Sequence, residues 1–82
     1  MPCAVRDGGF AVYVYANDHN PPHCHIVWNG GDKVGAVDLE TLVVSAGDMP
    51  PKRGMKLIRD SIGIVRKAWN ELHPDNRVEL EE

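Results

Sequence analysis

Apolar and polar residues alternate along this chain with two different periods, and the change of period near Gly47 separates a sheet-forming part from a helix-forming part. From Phe10 to Tyr15 the sequence reads Phe-Ala-Val-Tyr-Val-Tyr, rich in β-branched and aromatic residues. A period of two sets Phe10, Val12 and Val14 on one face of this first predicted strand, with Tyr13 and Tyr15 on the other. Asn17 to Pro22 concentrates turn formers, and its two prolines fix φ and remove backbone donors, so no regular element runs through it. His23 to Trp28 predicts a second strand with Cys24, Ile26 and Trp28 toward the core and His23, His25 and Val27 on the opposite face. Asn29-Gly30-Gly31-Asp32 is a hairpin signal because glycine accepts positive φ. Lys33 to Leu39 is then the return strand, and a further hairpin through Glu40 leads into a fourth strand over Leu42 to Ala46.

Gly47-Asp48-Met49-Pro50-Pro51 punctuates the switch, with Asp48 a candidate cap and a proline suited to a first helical turn. Met55, Ile58, Ile62, Val65, Trp69 and Leu72 then recur at spacings of three and four, the stripe of a helix packed on the sheet. Pro74 disfavours helical geometry at His73 and ends it there. The pattern predicts an α+β fold, an antiparallel four-stranded meander packed against one long C-terminal amphipathic helix. It forms a single domain over residues 1–82, with the sheet over about 10–46, the helix over about 51–72 and an acidic tail over 74–82 that has room for a short strand at Arg77 to Leu80.

Composition narrows the class without changing this picture. At 82 residues, 43% hydrophobic and 26% charged, the chain matches an ordinary globular domain that folds without staples. Cys3 and Cys24 are too few for a disulfide framework and read as free thiols. Met1 to Gly9 lacks the apolar run of a signal peptide, and no stretch approaches the roughly 20 apolar residues that span a bilayer, so the expectation is a cytoplasmic protein with no membrane partner.

Charge is partitioned. The net charge of −3 speaks against generic nucleic-acid binding, yet between Lys52 and Lys67 six basic residues stand against Asp60 alone. At 100° per residue Lys52, Lys56, Arg59 and Arg66 fall within a band of about 80°. Such a band is most often a solvated helix face; read functionally, it is a surface for an acidic partner protein or for RNA. RNA has the weaker support, because Tyr13 and Tyr15 lie on the sheet rather than beside the charge.

The densest chemistry lies in Asp18-His19-Asn20-Pro21-Pro22-His23-Cys24-His25. His23 and His25 project from one strand face, close enough to share a metal ion, and His19 or Asp18 can fold back as a third ligand. Imidazole and carboxylate suit zinc, and also nickel or iron. Alternation turns Cys24 the other way, and His73 is a remote further candidate. A His-x-His pair is far less specific than a four-ligand zinc pattern, which favours a structural or binding use. With no metal the histidines remain titratable near neutrality, but no activated nucleophile stands beside them, and catalysis is the minority reading.

The string Tyr13-Val14-Tyr15-Ala16-Asn17-Asp18-His19-Asn20-Pro21-Pro22-His23-Cys24-His25 resembles the signature of small bacterial proteins catalogued as domain of unknown function 4160. The likeness runs from about Gly8 to His73 and takes in Gly47-Asp48-Met49-Pro50 and the Trp69 to His73 spacing. Cys24, where an aromatic residue is more usual, and Pro74, in a region that usually continues as helix, depart from the pattern. The resemblance implies no established activity; such proteins resemble components of two-gene modules, sometimes described as toxin–antitoxin proteins. Two expectations follow. The first is a non-enzymatic binding or regulatory domain that pairs with a small protein through its basic helix face, sheet edge or histidine turn. The alternative is a histidine-based metal-binding domain with hydrolase or nuclease activity, His23, His25, His19 and Asp18 being its ligands.

Overall fold

The computed structural model describes residues 3–16 and 21–80. Strands β1 (Cys3–Asp7), β2 (Phe10–Tyr13), β3 (His23–Trp28), β4 (Lys33–Asp38) and β5 (Val44–Gly47) form one antiparallel sheet in chain order, followed by helices α1 (Lys52–Asp60) and α2 (Ile62–Leu72). The α+β class stands, with two corrections to its parts.

The sheet has five strands among the described residues, not four. The added strand, β1, is short and carries Arg6 and Asp7, so its own sequence pattern is weak; pairing with β2 holds it extended. Asp7 pairs with Phe10 across Gly8 and Gly9, whose φ values of 56° and 86° are those of a two-residue hairpin turn that residues with a Cβ rarely adopt. The helical segment is also two helices rather than one. Ser61 leaves helical geometry at φ −110° and ψ 13°, although its amide still reaches the carbonyls of Leu57 and Ile58, and Val65 N–H donates to Ser61 O at 3.0 Å. Ser61 and Gly63, two poor helix formers within three residues, supply the weak point.

Alternation places the core as the sequence requires. Val12, Val14, Cys24, Ile26, Val37 and Leu39 are buried from one side of the sheet against Ile58, Val65 and Trp69 of the helices. Burying a side chain of this size contributes roughly 1.5–3 kcal/mol each. Asp48 does not cap α1: its Oδ2 accepts from Val34 N–H at 3.1 Å and its own N–H donates to Val34 O at 2.9 Å, tying the end of β5 to β4. Pro51 occupies the N-cap position with no side-chain hydrogen bond. No strand forms over 77–80. The Asn70 side chain instead imitates one, donating to Val78 O at 2.9 Å and accepting from Val78 N–H at 2.6 Å, so that Val78 closes the core. Among the described residues no helix is long and apolar enough to cross a membrane.

Candidate functional site

Both helices lie on the Val12 and Ile26 side of the sheet, and the register shows what the other side carries. One rung runs Arg6, Ala11, Val27, Val34 and the next Cys3, Tyr13, His25, Ala36, Ala46, with His23 opposite Asp38 beyond them. Tyr13, Tyr15, His23, His25 and Val27 are half-buried there, and Val34 is 44% exposed. Asp38 is the one carboxylate on this face of β2, β3 and β4, and its Oδ1 accepts from the backbone N–H groups of Glu40 and Thr41, turning it into the following loop.

The sequence-predicted histidines sit in a band of rings. Tyr13 stacks on Tyr15 (centroids 6.1 Å), Tyr15 meets His25 edge-on at 5.2 Å, and His25 meets His23 at 5.0 Å. The band then leaves the sheet: His23 lies 5.8 Å from Trp69, which stacks on His73 at 3.6 Å with the planes 15° apart. His23 Nδ1 is 2.8 Å from Pro21 O and His73 Nδ1 is 3.1 Å from Trp69 O; since a carbonyl only accepts, both nitrogens carry the proton. His73 Nε2 is buried with no hydrogen-bond partner among the described residues.

This arrangement brings His23 and His25 together and adds His73 through Trp69. Asp18 and His19 lie outside the described residues. Among the described residues no group of three or more histidine, cysteine or acidic side chains is placed to hold a metal ion. Cys24 points into the core, and burial pushes its thiol up to about 12, so at neutral pH it is neither a nucleophile nor a thiolate ligand. Iodoacetamide is therefore expected to add one label per folded chain, at the exposed Cys3, and two after denaturation. Mass spectrometry of the labelled peptides checks this; rapid native labelling of Cys24 would contradict its burial.

Of the basic band, Lys52, Lys56 and Arg59 are exposed on α1, with Lys56 Nζ 2.7 Å from Asp60. Arg66 is not among them. It is 9% exposed, and its Nε donates to Leu39 O at 2.8 Å, because the break at Ser61 interrupts the 100° count that had placed it with the others. Sequence reasoning passed over Arg6 altogether. Its Nη2 donates to Tyr13 Oη at 3.2 Å, and it stands over a groove of about 300 Å³ on the outer face of the sheet. The Asp7-Gly8-Gly9 turn signal, which announces a strand on each side, is what would have revealed it.

Comparison with known families matches residues 9–75 to the Domain of unknown function DUF4160. No curated protein and no solved structure matches the chain.

Proposed function

Since the chain belongs to the DUF4160 family, we propose that it is a small binding domain, one component of a two-gene, toxin–antitoxin-like module, that pairs with a small protein through the outer face of its sheet. The observation that carries this reading is the composition of that face. An antiparallel sheet packed on one side normally turns polar, charged side chains to water on the other. Here Ala11, Tyr13, His25, Val27, Val34 and Ala36 occupy the middle of the outer face, without a lysine or a carboxylate among them. Ala11 and Ala36 are buried beneath their neighbours, Tyr13, His25 and Val27 are half-buried and Val34 is exposed, and a mainly apolar and aromatic face of this kind marks contact with another macromolecule.

The other two surfaces have less in their favour. Each edge strand carries a bulge, at Ala4 where β1 shifts against β2 and at Ser45 where β5 shifts against β4, and bulged edges resist the addition of a strand. The lysines of α1 are exposed, and Lys56 already faces Asp60.

Co-expression with the product of the adjacent gene, followed by size-exclusion chromatography at micromolar concentration, tests the proposal. A single complex is expected, and V34D together with V27D is expected to abolish it, while K52A with R59A leaves it intact. Separate elution of the unaltered proteins, or a complex indifferent to V34D and V27D in a variant whose circular dichroism melt is unchanged, would sink this reading.

A further inference from the structure

The groove beneath Arg6 has a chemistry of its own. Its floor is low because Ala11 stands between Arg6 and Val27 on one rung of the sheet. Tyr13 walls one side, and the glycine turns at Gly9 and at Gly30-Gly31 border the other. An added Cβ at any of these three glycines would meet nothing within 4 Å, so the rim is open backbone. Among the described residues Arg6 is the one charged residue that lines the groove, and no carboxylate among them lines it. The neighbouring Asp7 is turned to the helix side, where it lines a separate hollow with Arg53, Lys56 and Asp60. Arg6 donates to Tyr13 Oη and lies against the Cys3 side chain, and the five N–H donors of its fork exceed what these two partners use.

One cation over an apolar trough selects for an apolar group that carries a single negative charge. A nucleic-acid strand would require several cations along its path, and among the described residues this groove offers one. Cross-strand neighbours stand about 5 Å apart, so the anion must lie within about that distance of the apolar group seated over Ala11. The last residue of a polypeptide has this geometry, with its α-carboxylate and its side chain on the same Cα. A cavity of about 300 Å³ has room for one such residue.

We propose that the Arg6–Ala11–Tyr13 groove captures the C-terminal residue of the partner protein, its apolar side chain over Ala11 and its carboxylate on the Arg6 guanidinium. This rests on the outer-face reading above and specifies how the partner is held. Carboxylate capture by the planar fork of arginine is charge-assisted and directional.

The test is a titration of isotope-labelled protein, followed by amide chemical shifts, with a short acetylated peptide ending in leucine, the same peptide as its C-terminal amide, and acetate. The free-acid peptide is expected to shift the amides of Ala11, Val27 and Gly30 saturably in the millimolar range. The amide, or the free acid against R6Q, is expected to bind at least about tenfold more weakly, with R6K recovering part of the loss. Equal binding of acid and amide, indifference to R6Q, acetate binding as tightly as the peptide, or no saturable shift would each overturn the inference. The partner supplies the second arm: removal of its last residue is expected to weaken the complex about tenfold while co-elution persists at high concentration. Co-elution with no peptide binding overturns the groove and leaves the outer-face reading standing. Peptide binding without co-elution overturns the reading of the whole face and leaves the groove.

Discussion

Trp69→Ala is expected to leave the domain at the margin of stability at room temperature. The indole is fully buried, its Nε1 donates to Asn76 O at 2.7 Å, and its ring is stacked on His73 and faces His23. Truncating a buried tryptophan costs about 3–5 kcal/mol, and a domain this small has a total stability at the low end of roughly 5–15 kcal/mol. The substitution also removes the indole donor to the carbonyl of Asn76 and loosens the segment through which Val78 closes the core. Urea unfolding followed by circular dichroism measures the loss. Trp69→Phe keeps the ring but not the donor and is expected to cost less, about 1–3 kcal/mol. If Trp69→Ala lowered stability no more than a surface substitution, the central place given to this residue would be wrong.

Gly35→Ala is the second large expected effect, and its cause is space rather than backbone freedom. Gly35 has ordinary strand geometry, but a Cβ added there would run into the backbone carbonyl oxygen of Asp48. That carbonyl cannot swing aside easily, because Asp48 is fastened to Val34 through both its N–H and its carboxylate. Overpacking against fixed backbone costs about 1–3 kcal/mol or more, and the strain falls on the β4–β5 pairing. Gly63→Ala is the control, since a Cβ there meets nothing within 4 Å inside α2. It is expected to raise stability by about 0.5–1 kcal/mol. Thermal melts of the two variants should therefore move in opposite directions, and a Gly35→Ala protein as stable as the parent would refute the close approach.

What local pattern encodes was legible in the chain. Alternation set Cys24 and Ile26 inward and His23 and His25 outward, the three-and-four stripe found Ile58, Val65 and Trp69, and Pro74 marked the end of α2. The parts that escaped depend on partners or on dihedral angles. A strand of five residues with two charges at its end has little signature until β2 lies beside it, and a stripe of apolar positions continues unbroken through Ser61 although the backbone does not. Arg66 shows the consequence. Helical phase alone sets it on the basic band, whereas past the break its Nε donates to the carbonyl of Leu39. For the candidate site, the outward face of the two strand histidines could be read in advance, whereas their connection to Trp69 and His73 joins opposite ends of the fold and no short window contains it.

The paired bulges at Ala4 and Ser45 bear on stoichiometry. A sheet whose two borders resist extension, and whose inner side is taken by its own helices, has its outer face as the one sheet surface left for association. On the outer-face reading, assembly through the sheet is finite: with a bulge at each border, ribbons do not grow by strand addition.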